Sequence, residues 1–495
     1  MRKEIIHHLI TIADDEDDWV REESRDALYY LAQNYANLSE ITKQLDLRSF
    51  ASDLMKPLVY KQSKRNEQQQ QQELKCQILS CLLRDRENDT LRMQIIEAGI
   101  VDSLFHVYTT RVLAQITQPY INVFYQLTVN TSDEVLSLIS EKKPYHSLFW
   151  LLDLKDDGTQ GIYFAILSIY NFLLSGISKK DDTNPHPHFD DLQTCDGVDK
   201  LFSLFKRDDI QINTKNLTAI CIGLLFKAKE IVNQQMRCEV VSYLKLLISD
   251  FDEWIRNASE LALCYMLQNS VNYSEIENLI DLNQISEDLK RPSEGDEEQQ
   301  QFIQQQQDGD CTLLIVMLNT KKDNIEFSKS IISSGIVDSL LFIFETRDIT
   351  LITVPVVQIF NQLTKVNDEI NQLLYERKNP YPQLFKLLSP NSSDVLIKFS
   401  INSIFNIIVT GDVTSQHQEQ HPHFQDVKQC DGIECLYSLF KRANIYKLTK
   451  DSAAICFGNL FKAKEIPNDT IRSEIISHLK INREEIEKDG FKLPE

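Results

Sequence analysis

The chain has 495 residues, of which 42% are hydrophobic and 25% charged, the composition of a folded protein without the apolar excess of a membrane protein. Its formal net charge is -21, and a field of that sign repels nucleic-acid phosphates unless basic residues cluster locally. The basic groups at 61–65 and 206–207 are interrupted or isolated, and no apolar run reaches the roughly 18 to 20 residues that cross a bilayer. Composition therefore argues against nucleic acid and membranes as direct partners.

The ten cysteines are scattered through apolar segments without a C-x-x-C pair. This usage predicts reduced thiols in a cytoplasmic or nuclear protein rather than a disulfide framework. The apolar stretch after Met1 is interrupted by His7, His8 and Asp14, so we predict no signal peptide.

Taken in chain order, the segments predict amphipathic helices of about 10 to 18 residues with apolar residues at i, i+3, i+4 and i+7. Short helices of one type are expected to begin near Lys3, Arg48, Gly99, Pro144 and Gly197, five starts in 235 residues and about 47 residues apart. No segment has the alternating pattern of a strand. We therefore predict an all-α fold, a solenoid of helical repeats.

The sequence is also duplicated on a larger scale. MRKEIIHHLI at residue 1 recurs as MRCEVVSYLK at 236, GIVDSLFHVY at 99 as GIVDSLLFIF at 335, and CDGVDKLFSLFKR at 195 as CDGIECLYSLFKR at 430. A third copy opens with IRSEIISHLK at 471 and ends after a charged tail. We predict a first block of residues 1–235, a second block of 236–470, and a truncated repeat with a charged cap at 471–495.

Two local strings recur in both blocks. Trp19 and Trp254 each open a W-[VI]-R string, and we expect both indoles to pack in the core between repeats. The arginines that follow, Arg21 and Arg256, are expected to pair with nearby acids such as Asp17 and Asp252.

The glutamine tracts at 68–72 and 299–307 lie at the same place in each block and are expected to form disordered loops.

The string HPHF occurs at 186 and again at 421, each time followed by a cysteine. Two histidines and a thiolate are zinc ligands, but no fourth ligand has a fixed spacing. We therefore predict a proline-stiffened loop whose Phe189 or Phe424 reaches the core, and the sequence leaves metal binding open.

The repeated unit resembles an armadillo repeat. A short helix ending at glycine, a second helix of the form G-[IV]-x-x-L-x-x-[LV]-[LF] and a longer third helix follow in order in SSGIVDSLLFIFETRDITLITVPVVQIFNQLTK. The third helices contain AILSIYN, SINSIFN, AAICFGN and TVPVVQIFN, which are similar to the family's A-L-W-A-L-S-N string. The resemblance implies a right-handed superhelical solenoid of about ten armadillo-like units, with HEAT-like features in DEWIRNASELALCYMLQN.

In the armadillo family the asparagine of this string hydrogen-bonds the backbone of an extended peptide. The resemblance implies that role for Asn171, Asn361, Asn406 and Asn459. An amide suits it because it both donates and accepts, whatever the side chains of the peptide. The alternative stays open that these residues cap or line helix ends beside solvent.

Two departures from the family pattern argue against importin-like capture of cargo. The family's tryptophan four residues before the asparagine is replaced by Leu167, Asn402 and Ile455. In the first block, Tyr125 and Leu224 stand where the second block has asparagine.

No glycine-rich phosphate loop, GxSxG elbow, HExxH or kinase motif set occurs, and no enzymatic activity, cofactor or metal is predicted. We expect a scaffold that presents a concave groove to an extended or helical segment of a protein partner. Two alternatives stay open: a structural or regulatory arm that contacts its neighbours through its ends, and an acidic groove for basic transport or cytoskeletal cargo. Because Ile5, Ile6 and Leu9 lack a preceding cap, self-association through the N-terminal end is a further expectation.

Overall fold

We describe the chain from a computed structural model that covers residues 2–87, 89–155, 160–177, 183–292, 294–320, 324–413 and 419–488, with backbone only for 412–413 and 482–488. Within these ranges every regular element is an α-helix or a short 3-10 turn, and no strand occurs. The predicted all-α class is confirmed.

The helices separate into two compact units, which contain residues 1–244 with 261–272, and residues 245–260 with 273–495. The blocks 1–235, 236–470 and 471–495 follow from the repeated sequence, and their standing as domains remains a prediction.

The first series of helices is α1 (Arg2–Ile12), α2 (Asp18–Ala32), α3 (Tyr35–Leu45), α4 (Leu47–Met55), α5 (Gln62–Leu83), α6 (Thr90–Glu97), α7 (Ile100–Thr110), α8 (Gln118–Thr128), α9 (Asp133–Ser140), α10 (Tyr145–Leu151), α11 (Gly161–Ser175), α12 (Phe189–Gln193), α13 (Gly197–Phe205) and α14 (Ile212–Leu225). The second series is α15 (Gln234–Leu247), α16 (Glu253–Met266), α17 (Ser270–Leu279), α18 (Leu282–Lys290), α19 (Glu297–Thr320), α20 (Ile325–Ser333), α21 (Ile336–Thr346), α22 (Val354–Thr364), α23 (Asp368–Arg377), α24 (Tyr381–Lys386), α25 (Asp394–Val413), α26 (Phe424–Gln429), α27 (Gly432–Lys441), α28 (Lys447–Leu460) and α29 (Asp469–Lys488).

The second series repeats the first helix by helix. From α15 to α29 the helices follow in the same order as α1 to α15, and 3-10 turns at Leu113–Gln115 and Ile349–Leu351 occupy matching places. The five predicted starts fall within one residue of the first residues of α1, α4, α7, α10 and α13. The duplicated sequence thus produces a duplicated order of helices.

Matching residues begin matching helices. The Asp17 carboxylate accepts hydrogen bonds from the backbone N–H groups of Trp19 and Val20, and Asp252 does the same for the two residues after Glu253. Such N-caps satisfy donors that have no partner within the helix. Before α7 and α21, Gly99 and Gly335 have φ of 84° and 90°, a left-handed conformation that favours glycine. The glycine of each GIVDSL string is therefore a joint between two helices.

Within the first unit the helices pack in series with a step of three. Helix α5 packs against α8, α8 against α11 and α11 against α14, while α4, α7, α10 and α13 form a second series. Fully buried apolar side chains fill the space between these series, as Leu79, Phe124 and Phe172 do. No helix buries its apolar face alone, which is the packing of a helical solenoid.

The second unit has the same arrangement. Helix α19 packs against α22, α22 against α25 and α25 against α28, and α18, α21, α24 and α27 form the parallel series. Its core contains the fully buried Val316, Phe360 and Ile404. Both units are therefore helical solenoids in their packing.

Among the described residues, one helix is long and apolar enough to cross a membrane by length and composition, the segment Asp394–Gly411 of α25. The bent pair α20 and α21 passes the same test when it is taken as one span. Helix α25 packs on both sides against α22 and α28 and buries Ile401, Ile404 and Ile408 completely. Its apolar character is therefore explained by packing in the core.

The prediction that the glutamine tracts form disordered loops is wrong. The first tract lies in α5 and the second in α19. The other tract glutamines are exposed or half-buried, but the last glutamine of each tract, Gln72 or Gln307, is buried. The tracts are helical because the helix continues into an apolar segment that packs against α8 or α22, and the buried glutamines have polar partners.

The prediction for the two tryptophans is also wrong, because Trp19 is 68% exposed and Trp254 is 42% exposed. The N-capping aspartate places each indole in the first turn of its helix, on the side away from the core. Arg21 forms its ion pair with Asp18 rather than Asp17. Arg256 donates to the carbonyl oxygens of residues 250 and 251, and not to the side chain of residue 252.

Helix α1 is partly covered. Ile6 is 1% exposed and Leu9 is half-buried, because α1 packs against α2 and α3, whereas Ile5 is 49% exposed. The expected lack of cover therefore holds for Ile5 and is wrong for Ile6. Self-association through this end stays a prediction.

Candidate functional site

The first HPHF segment packs into the protein interior. The imidazole of His186 is buried, its Nε2 lies 2.8 Å from the Leu173 carbonyl oxygen, and its Nδ1 accepts a hydrogen bond from the backbone N–H of His188. A Cβ atom at Gly176 would lie 2.8 Å from each of the two rings, so only glycine allows this approach. Burial lowers the pKa of His186 to about 4.

The second HPHF segment has the same construction. His421 Nε2 lies 2.9 Å from the Ile408 carbonyl oxygen, and His423 stacks on Tyr375 with 3.7 Å between ring centroids. The Tyr381 hydroxyl lies 2.7 Å from His423 Nδ1. Phe189 and Phe424 are 7% and 3% exposed, which confirms that they reach the core.

No group of three His, Cys, Asp or Glu side chains that could hold a metal ion occurs in the part of the chain that the structure describes. Burial raises the pKa of two half-buried thiols, Cys81 and Cys430, to about 11. These thiols are protonated at neutral pH.

Two of the four predicted asparagines make the same contact in the two blocks. The Asn171 amide on α11 donates to the hydroxyl of Thr128 on α8 at 3.0 Å, and the Asn406 amide on α25 donates to Thr364 on α22 at 3.1 Å. Each threonine hydroxyl in turn donates to a carbonyl oxygen of its own helix three residues earlier. The NH2 group of each amide therefore joins two neighbouring helices of one series. We call the helices of the series α5, α8, α11, α14 and of the series α19, α22, α25, α28 the third helices.

The side-chain oxygen of each amide is available to accept a hydrogen bond. Asn171 and Asn406 are half-buried, and their Oδ1 atoms accept no hydrogen bond from the described residues. Asn459 on α28 is also half-buried, and no side-chain hydrogen bond of Asn459 occurs within the described ranges. We call Asn171 the amide surface of the first unit, and Asn406 with Asn459 the amide surface of the second unit.

Asn361 does not join this surface. Its side chain is 0% exposed and donates to the Phe399 carbonyl oxygen at 3.3 Å and to the Ser403 hydroxyl at 3.2 Å, both on the neighbouring α25. A partner cannot reach this amide without opening the contact between α22 and α25. Asn361 therefore has a packing role in this structure and does not belong to a surface that a partner could contact.

The surroundings of the amides differ between the units. In the first unit, Tyr125 stacks on Phe164 at 5.3 Å, and both rings are half-buried. In the second unit, Lys365 and Lys398 are exposed near α22 and α25, and burial together with the charge of Lys398 lowers the pKa of Lys365. The same helices therefore differ between the units: α8 and α11 carry stacked aromatic rings, whereas exposed lysines lie on α25 and at the end of α22.

Sequence reasoning missed Thr128 and Thr364, the partners of the two asparagines. A signal was present, since YQLT at 125 and NQLT at 361 recur at the same place in the two blocks. This recurrence alone does not identify the partners, because a threonine near the end of a helix is common and only the packing of the next helix shows what its hydroxyl accepts.

No family model matches the sequence, and no curated protein matches it. Among solved structures, the chain is similar to an engineered protein from the Northeast Structural Genomics Consortium, target OR497, with a TM-score of 0.56 and 15% sequence identity. The likeness covers 92% of this chain and 98% of the engineered one. At this identity it shows the fold alone, and together with the serial packing it supports an all-helical solenoid.

Proposed function

We propose that the chain is a non-catalytic scaffold that binds an extended segment of another protein along its third helices. In this proposal the helices stack as about ten armadillo-like units in a right-handed superhelix, and the third helices line its concave side. A solenoid gives a protein a long surface of this kind rather than a closed pocket. Peptide segments are the usual ligands of such surfaces.

The observation that carries the proposal is the repeated contact between asparagine and threonine. In both units the contact orients the amide, uses one of its donors and leaves Oδ1 free to accept. A backbone N–H of an extended peptide is a suitable donor for that oxygen. An amide already held in place also loses less side-chain entropy when it binds.

Net charge favours a second candidate function, an acidic adaptor for basic cargo. At -21 the chain attracts basic segments over distances of a Debye length. The two candidates differ in their salt dependence, because an interaction between amides and a peptide backbone is insensitive to salt.

A structural or regulatory arm is a third candidate, supported by Ile455 on α28. This side chain is 36% exposed, while Ile220 at the matching position of the first block is 0% exposed. An exposed apolar residue at the end of a helical series suits a contact with a neighbour.

The proposal can be tested with a display library of random extended peptides. Peptides enriched on the wild-type chain are titrated against the triple variant Asn171→Ala, Asn406→Ala, Asn459→Ala. We expect affinity to fall by at least about fivefold for each amide that a peptide contacts.

The matched control is the double variant Asn66→Ala, Asn391→Ala, which removes one exposed amide from each unit at sites off the amide surface. It should bind as the wild type does. Equal affinity of the triple variant and the wild type for every enriched peptide, with unchanged helical circular dichroism, would contradict the proposal.

A further inference from the structure

The second unit exposes two phenylalanines at one place. Phe251, before α16, is 62% exposed and Phe302, in the second turn of α19, is 47% exposed. Their ring centroids lie 6.4 Å apart with an interplanar angle of 32°. Both line one cleft of about 600 Å³, whose wall also includes Ile303. Two exposed rings in contact leave apolar surface that folding of this unit does not bury.

The rim of this cleft is acidic. Glu294, Asp296 and Glu298 line it, and Arg291 is the one basic residue among its lining side chains in the described part of the chain. The Asp296 carboxylate accepts from the backbone N–H of Gln299 and so also caps α19. The two glutamates are exposed and leave their charge at the mouth of the cleft.

The first block shows that the fold does not require these rings. At the positions 235 residues earlier, the chain has Glu16 in place of Phe251, Glu67 in place of Phe302, and Gln68 in place of Ile303. The same helices form in both blocks. The aromatic pair is therefore a feature of the second block alone, and the packing of the repeat does not explain it.

Exposed rings beside carboxylates match one kind of ligand. The face of an aromatic ring attracts a cation through its quadrupole, and nearby carboxylates add Coulombic attraction and hydrogen-bond acceptors. The aliphatic stem of arginine or lysine covers apolar surface such as Ile303. We propose that this cleft binds an arginine or lysine side chain of an extended segment of another protein.

The surface is separate from the amide surface, since it involves the N-terminal ends of α16 and α19 and none of the asparagines. It gives the second unit a preference for basic residues at one position of a bound segment. Basic partners are then selected by a defined cleft, in addition to the overall negative field.

The test uses a short fluorescein-labelled glycine–serine peptide with two adjacent arginines, and the same peptide with glutamines. Fluorescence anisotropy should show binding of the arginine peptide and at least about fivefold weaker binding of the glutamine peptide. The double variant Phe251→Gln, Phe302→Gln should lose at least about fivefold in affinity for the arginine peptide. The variant should fold normally because both rings are exposed.

A second variant separates the rings from charge alone. Phe251→Glu with Phe302→Glu installs the first-block residues and adds two negative charges. If the rings bind the cation, affinity falls; if only the negative field matters, affinity rises, and that result would overturn the proposal. Equal binding of the arginine and glutamine peptides would overturn it too. The triple asparagine variant should bind the arginine peptide as the wild type does, so this test and that of the amide surface fail independently.

Discussion

At the scale of single residues, one glutamine of each tract is a buried connector between helices. Gln72 donates to the Asp53 carbonyl oxygen at 2.8 Å and accepts from Arg111 at 2.8 Å and from the Tyr120 hydroxyl at 3.1 Å. Gln307 likewise donates to the end of α18 and accepts from Arg347 at 2.8 Å. Arg111 is buried and Arg347 is half-buried, which is tolerated because each guanidinium group donates to its glutamine.

This geometry predicts a sharp contrast between neighbours in one tract. Gln72→Ala removes the acceptor of Arg111 Nη2 and of the Tyr120 hydroxyl, and should destabilise the first unit by about 1–3 kcal/mol. Gln71→Ala changes an exposed side chain and should stay within about 0.5 kcal/mol of the wild type. Urea unfolding followed by circular dichroism measures both, and equal effects of the two substitutions would contradict the account.

A second prediction at this scale concerns pH. Burial, and then the charge of Asp288, raise the pKa of Asp310 to about 6, above the value of about 3.9 in an unfolded chain. A raised carboxyl pKa contributes stability that is complete below about pH 4 and is lost as pH rises through about 6. At the matching position the first block has Lys75, paired with Asp53 at 3.9 Å.

Asp310→Asn removes this half-buried charge and should raise stability at pH 8 by about 1–2 kcal/mol while leaving it little changed at pH 4. Burial lowers the pKa of His423 to about 4, so acid destabilises the wild type through this group between about pH 6.5 and 4. That effect is common to both proteins and cancels in their difference. Melting temperatures of the wild type and the variant from pH 4 to 8 measure this difference in stability. A difference that does not change with pH would refute the raised pKa of Asp310.

The sequence predicted the burial of a side chain well where its neighbours in the chain determine it. It predicted burial poorly where the packing of another helix determines it. Phe189 and Phe424 follow their histidines into the core as expected. A run of identical glutamines has no helical periodicity, so nothing in it distinguishes buried Gln72 from exposed Gln71. The burial of Asn361 depends on Ser403 of the next repeat, which the string around Asn361 does not reveal.

At the scale of elements, the duplication provides matched pairs of helices in different surroundings. A Cβ atom at Gly223 on α14 would lie 2.9 Å from Ala262 Cβ and 2.9 Å from Leu244 Cδ1. At the matching Gly458 on α28 it would meet only Leu479 Cδ1, at an ordinary 3.4 Å. The same glycine is therefore required in one block and dispensable in the other.

We expect Gly223→Ala to destabilise the first unit by about 1–3 kcal/mol because the methyl group overpacks a filled contact. Gly458→Ala should be neutral or stabilise by up to about 1 kcal/mol, since alanine favours a helix more than glycine does. Differential scanning calorimetry of the two variants measures the contrast. Similar melting temperatures for both would mean that the two helices are not packed as described.

Element types, and the five predicted starts, were predictable because the helices carry their own patterns of apolar residues and several begin at a capping side chain or at a glycine. The continuation of α5 and α19 through the glutamine tracts was not, because their helical state depends on packing against α8 and α22. The exposed first-turn positions of Trp19 and Trp254 were missed for a similar reason, since the string W-[VI]-R does not show on which side of the helix the core lies.

At the scale of the whole molecule, the fold is repetitive, and no group of three His, Cys, Asp or Glu side chains that could hold a metal ion occurs among the described residues. Both units carry an oriented amide on their third helices, and the second unit alone also has an aromatic cleft with an acidic rim. Both features suit recognition of an extended protein segment, one through its backbone and the other through a basic side chain. Protein binding remains our proposal for the chain.

The most direct test of that claim is hydrogen–deuterium exchange of the wild-type chain with and without the best peptide from the display library. The account predicts slower exchange, on binding, in α8 with α11 or in α25 with α28, around Asn171, Asn406 and Asn459. Protection confined to helices outside these third helices, in a chain that demonstrably binds the peptide, would contradict it.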